Sequence, residues 1–134
     1  MSCFSLHSAC RFLTIIGMSL ISVSIYAQSY PNRPITFVVP YGPGGSTDPV
    51  ARQYAMQLQK ALGVEVNIEN KPGGSGTIGT GMVVRSKPDG YTLGLATNSI
   101  LGYQPLVNAN LVFKTPDQYQ PIVKLGEMPV ILVV

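Results

Sequence analysis

Apolar positions change their spacing twice between Ile35 and Glu69. Ile35-Thr36-Phe37-Val38-Val39 is a nearly continuous apolar run, the pattern of a strand covered on both faces, as in a parallel sheet. Val50, Ala51, Tyr54, Ala55, Leu58, Ala61 and Leu62 then recur at helical spacing, with Gln53, Gln57, Gln59 and Lys60 on the other side. Asp48 stands where an N-cap belongs, Pro49 suits the first helical position, and Gly63 closes the helix. Val64-Glu65-Val66-Asn67-Ile68-Glu69 alternates apolar with polar, a half-covered strand nearer the sheet edge.

The alternation repeats further on. After the turn Asn70 to Gly76, Ile78, Met82, Val83 and Val84 fall at roughly helical spacing within Thr77 to Arg85. Gly79 and Gly81 each cost such a helix about 1 kcal/mol, but small residues let it sit close to a sheet. Lys87-Pro88-Asp89-Gly90 reads as a turn and Tyr91 to Ala96 as a third strand. The order β-α-β-α-β with short connections predicts an α/β fold built on a parallel sheet with right-handed crossovers. Beyond Thr97-Asn98-Ser99, a short helix interrupted by Gly102 and Pro105 is expected over Ile100 to Val107. Two more strands are expected over Gln120 to Leu125 and Pro129 to Val134. The last of these, Val130-Ile131-Leu132-Val133-Val134, is a bare apolar strand whose edge needs a partner. The expectation is that residues 28–134 are an incomplete domain, cut short and prone to associate through exposed apolar edges.

The first residues have a different character. Arg11 precedes the apolar run Phe12 to Val23, and Ala27-Gln28 follows, the pattern of a secretory signal peptide over residues 1–27. Ile25 stands third from the end, where a small residue is commoner. The run is shorter than the ~20 apolar residues a spanning helix needs, so export with cleavage is expected. Cleavage after Ala27 leaves 107 of the 134 residues and removes Cys3, Cys10 and His7 with Arg11. The remaining chain has no cysteine or histidine and a net charge of +2 from eight basic and six acidic side chains. Disulfides, thiolate metal sites and Cys- or His-based catalysis are thereby excluded from it. The charge is scattered and not interleaved with aromatic residues, so nucleic acid is not an expected partner.

Candidate chemistry sits at Pro40-Tyr41-Gly42-Pro43-Gly44-Gly45-Ser46-Thr47-Asp48-Pro49, between the first strand and its helix. Such a turn offers backbone N–H groups and the positive end of a helix dipole to an anion. Gly44 and Gly45 allow close backbone approach, and Ser46 and Thr47 add hydroxyl donors. Asp48 is read as the structural cap, with Arg52 four residues on as a possible ion-pair partner. The loop lacks the Gly-Lys-Ser/Thr ending of a Walker motif, so nucleotide hydrolysis is unsupported. Gly74-Ser75-Gly76-Thr77-Ile78-Gly79 matches G-x-G-x-x-G, but Asn70-Lys71-Pro72 intervenes and no acidic residue lies ~20 residues on. Dinucleotide binding is therefore the lesser alternative. A Ser hydrolase is another, opposed by the missing histidine and the absence of a G-x-S-x-G elbow. No cofactor or metal is expected, and no enzymatic activity.

Four segments occur in one order: Tyr30-Pro31-Asn32-Arg33-Pro34-Ile35, Val38 to Asp48, Glu69-Asn70-Lys71-Pro72-Gly73-Gly74, and Pro88-Asp89-Gly90-Tyr91-Thr92-Leu93. Together they resemble the start of the extracytoplasmic solute receptors of tripartite tricarboxylate transporters, the Bug or TctC-type family, from Tyr30 to Val134. The resemblance implies the first lobe of a type II periplasmic-binding-protein fold that closes on a small carboxylate and feeds integral-membrane transporter subunits. Full-length members are expected to be monomers. It also implies ligand-binding roles for Tyr41, Gly44, Gly45, Ser46 and Thr47 after the first strand, and for Thr97, Asn98 and Ser99 after the third. Both loops fall at the carboxyl ends of neighbouring strands, where open α/β sheets bind ligands. Family members continue past the equivalent of Val134 into a second lobe. The expectation is a truncated receptor with weak or no carboxylate binding, the alternative being a single-lobe fragment without function.

Overall fold

A computed structural model of the protein describes residues 29–127. The leader and the strand expected over Pro129 to Val134 lie outside these residues. Three parallel strands form the sheet: β1 (Ile35–Val39), β2 (Val66–Asn70) and β3 (Thr92–Gly94), in the order β2-β1-β3. Ile35 stands opposite Val66 and Val39 opposite Asn70, while Thr36 to Val38 pair with Thr92 to Gly94. β1 is thus central. The chain steps to one side of it through α1 (Thr47–Leu62), then crosses to the other through α2 (Thr77–Arg85). The strand order reverses between β1 and β3, which makes their carboxyl ends the place to look for a ligand.

Side-chain parity explains the layers. Ile35, Phe37 and Val39 point to one face and join Val66 and Leu95 against Ala51 and Ala55 of α1 in a closed apolar cluster. Gly94, one residue out of phase with Leu95, points to the other face, where a Cβ would lie 2.9 Å from a Val83 methyl group of α2. The small-residue reading of α2 holds. A Cβ on Gly79 would lie 2.8 Å from the Lys71 carbonyl oxygen and 3.0 Å from Pro40 Cα, so glycine sets how closely this helix approaches the strand ends. Val38, Ile100 and Phe113 are fully buried.

Three sequence expectations need correction. The helix after the first strand starts at Thr47, with Ser46 at the N-cap, so Asp48 is not the cap but lies within the first turn. The chain is already helical at Ser46 (φ −59°, ψ −28°), and the Asp48 N–H reaches back to the Gly45 carbonyl at 3.2 Å. The Asp48 carboxylate is engaged elsewhere, as shown below. Second, residues 120–125 are not a strand. They pair with no strand among the described residues, and the segment is held by Leu125, which packs on the core while its carbonyl accepts the Tyr54 hydroxyl at 2.5 Å. Third, the helix expected over Ile100 to Val107 is present but is not interrupted at Gly102 or Pro105: a π-helical turn, Ser99–Tyr103, runs directly into α3 (Gln104–Val107). Gly63 does close α1, at φ 69° with its N–H on the Gln59 carbonyl.

The amino ends of β1 and β3 are tied together. Arg33 pairs with Asp89 at 3.0 Å and lies 3.9 Å above the Tyr91 ring, and the Tyr91 hydroxyl donates to Asn32 Oδ1 at 2.8 Å. Two of the four segments that carry the family resemblance therefore interlock far from the binding loops. Among the described residues no helix is long and apolar enough to cross a membrane.

Candidate functional site

Both candidate loops leave the sheet at one end. The ladder runs on past the strands there, with Lys71 N–H donating to the Val39 carbonyl at 2.8 Å and Leu95 N–H to the Val38 carbonyl at 2.9 Å. The chain then enters Pro40 to Ser46 on one side and Ala96 to Asn98 on the other. The Tyr41 hydroxyl and Thr97 Oγ1 lie 2.8 Å apart and join the two loops. Thr97 is anchored in turn, because its carbonyl accepts the N–H groups of Ile100 and Leu101 at 3.0 Å each.

Asp48 organises the first loop from below. Its carboxylate accepts Arg52 Nε at 2.9 Å, Arg52 Nη2 at 3.3 Å, Asn70 Nδ2 at 3.0 Å and the Gly44 N–H at 3.2 Å. The Arg52 hydrogen bonds, then those of Asn70 and Gly44, bring its pKa from 3.8 to about 2. A bare carboxylate beneath an anion cradle would repel the guest. Here the guanidinium neutralises it, and all its polar capacity is turned inward.

Gly44, Gly45 and Ser46 are exposed, whereas Thr47 and Asp48 are buried. Gly44 has φ 80°, a left-handed conformation that lets the loop turn its backbone outward. Ser46 and Thr47 open a helix of 16 residues, so their N–H groups are among the first-turn donors that no intrahelical acceptor reaches. Asn98 and Ser99 are exposed on the facing loop. The structure brings Tyr41 and Thr97 into contact; Gly44 to Thr47 and Asn98 to Ser99 flank that contact without bonding to each other. Surface hollows of about 540 and 250 Å³ lie elsewhere, beside Met56 and Gly63 and beside Gly81 and Arg85. None of the predicted residues lines either one. Among the described residues no group of three or more His, Cys, Asp or Glu could hold a metal.

The arrangement suits a carboxylate: amide and hydroxyl donors and a helix dipole, with the guanidinium of Arg52 committed to Asp48. The model of a family described as "Tripartite tricarboxylate transporter family receptor" matches residues 50–134. The chain belongs to that family. It is a family of receptors, not of enzymes. Protein BugT of Bordetella pertussis is 38% identical over 128 residues, which are 92% of this chain and 39% of BugT. The chain therefore spans about two fifths of the length of that relative. Among solved structures, MatC of Rhodopseudomonas palustris with bound malate superposes with a TM-score of 0.61 at 35% identity, over 63% of this chain and 29% of MatC. Another R. palustris protein, Rpa4515 with adipate, gives 0.51 at 38% identity, over 52% of this chain and 23% of its own.

Within this receptor family's framework, the sequence reading overlooked Asn70. It ends β2, and its side-chain amide bonds to both Asp48 and the Tyr41 carbonyl. The signal was present, since Asn70 belongs to the Glu69 to Gly74 segment that carries the resemblance. The alternating pattern ends at Glu69 and leaves Asn70 to the turn, whereas the strand includes it. Next to it, Gly73, Gly74, Ser75 and Gly76 all have positive φ, Ser75 at 53°.

Proposed function

We propose that the chain carries one wall of the carboxylate cleft of a periplasmic receptor, exported by residues 1–27, that serves a tripartite tricarboxylate-type transporter. Membership of the receptor family supports the class of function, and the ligands named for MatC and Rpa4515 support a small dicarboxylate. One observation carries the site: the 2.8 Å Tyr41–Thr97 hydrogen bond, which joins two loops at the strand-order reversal. One ligand carboxylate sits against the N–H groups of Gly45, Ser46 and Thr47 at the start of α1. The Thr97 and Ser99 hydroxyls and the Asn98 amide face it from the loop after β3. Asp48 and Arg52 stay beneath, as support.

The exposure of this wall sets the affinity. Small-ligand sites normally bury about 70% or more of the guest, and Gly44, Gly45, Ser46, Asn98 and Ser99 all stand open to solvent. Residues 28–134 alone therefore bind a dicarboxylate in the millimolar range, about 4 kcal/mol of binding free energy. Calorimetry on the exported chain with malate, adipate and acetate tests this. Weak dicarboxylate binding with acetate weaker still is expected. Micromolar affinity would refute the one-wall reading, and no binding at high millimolar malate would favour a fragment without function.

A further inference from the structure

We propose that Asn70 is a positioning residue of the carboxylate site, fixing the conformation in which the Gly44 to Thr47 amides are presented. The proposal rests on the reading of that site given above. Asn70 belongs to neither binding loop: it closes β2, on the far side of β1 from Thr97. Its Nδ2 donates to the Tyr41 carbonyl and to Asp48 Oδ1, each at 3.0 Å. A side-chain amide nitrogen carries two hydrogens, so both bonds form at once. The two acceptors bracket the loop, one where the chain leaves β1 and one in the first turn of α1. One planar group thus sets the distance between the two ends of Gly42 to Thr47.

The arrangement reaches the cradle through Asp48. That carboxylate also accepts the Gly44 N–H at 3.2 Å, so its position decides where the exposed glycines lie. Its other holder, Arg52, has a side chain 54% exposed and is open to exchange with water. Asn70 is only partly accessible and comes from the rigid ladder, which makes it the firmer reference. The charged neighbours do not substitute for it: Glu69 and Lys71 are paired with each other at 2.6 Å.

The test uses the whole chain, labelled with nitrogen-15 and titrated with malate. Asn70→Ala should speed exchange of the Gly44 amide and weaken malate binding about tenfold, the scale of a lost hydrogen bond to a charged group. Exchange at the ladder amides of Thr36 and Leu95 should stay unchanged. Asn70→Asp, equal in size, places acceptors and a second negative charge beside Asp48. It should lose as much at neutral pH and recover part of the affinity near pH 4, measured against the unsubstituted chain, because the protonated acid donates one bond. Gly44 exchange and malate affinity both within twofold of the unsubstituted chain in Asn70→Ala would overturn the proposal. So would equal acceleration at Thr36, Leu95 and Gly44, the sign of general destabilisation. If the unsubstituted chain shows no malate response, the reading of the site fails, and Gly44 exchange alone still decides the role of Asn70.

Discussion

Replacing Gly79 by alanine sets two effects of known size against each other. In an exposed helix, alanine is better than glycine by about 1 kcal/mol. In α2 the new Cβ would lie 2.8 Å from the Lys71 carbonyl oxygen, 3.0 Å from Pro40 Cα and 3.1 Å from Lys71 Cβ. Ordinary contact begins near 3.4 Å, so the helix must retreat by about 0.6 Å from backbone that cannot swing aside. Overpacking of this kind costs about 1–3 kcal/mol. With two of the three contacts to main chain, the upper half of that range applies, and the net loss is about 1–2 kcal/mol. Gly81→Ala is the control, because its Cβ meets side chains alone, a methyl group of the exposed Val112 at 3.0 Å and Arg85 Nη1 at 3.7 Å. Those side chains can turn away, so the propensity gain should survive. Urea unfolding of the three proteins, with equal m-values, measures the difference. A Gly79→Ala midpoint at or above that of the unsubstituted chain would refute the account of how α2 seats on the strand ends.

Acid sensitivity follows from Asp48. Its pKa is lowered from 3.8 to about 2 in the fold, so its stabilising contribution is complete above pH about 4 and disappears as pH falls toward 2. Asp48→Asn should therefore be less stable than the unsubstituted chain at pH 6, with the gap closing between pH 4 and 2 in chemical unfolding. Tyr41→Phe removes the bond to Thr97 and should cost about 1 kcal/mol, visible as a lower melting temperature and faster amide exchange at Ile100 and Leu101. Ser75→Gly relieves a left-handed serine at φ 53° and should stabilise by about 1 kcal/mol in the same unfolding assay. No gain there would mean that the loop holds Ser75 without strain.

Local signals made β1, the close of α1 at Gly63 and the α2 boundaries readable, because period, glycine and strand flanks agreed there. The start of α1 was not readable. Ser46 and Asp48 are both good caps by type, and the choice was made by Asn70 and Arg52, which draw the Asp48 carboxylate away from the helix end. Gln120 to Leu125 has strand composition but no neighbouring strand among the described residues, and a strand exists only through its ladder. Of the candidate site, the loop residues followed from their place at the strand ends. The Tyr41–Thr97 contact depends on register across β1 and β3, and the role of Asn70 on register across β1 and β2. No pattern within one segment encodes either.

Amide shifts of the nitrogen-15 chain during a malate titration bear hardest on the carboxylate assignment. Saturating shifts at Gly44 to Thr47 and Thr97 to Ser99, with a millimolar midpoint and little change beside Met56 or Arg85, are predicted. Shifts that cluster in those outlying hollows, or that leave both loops still, would contradict it.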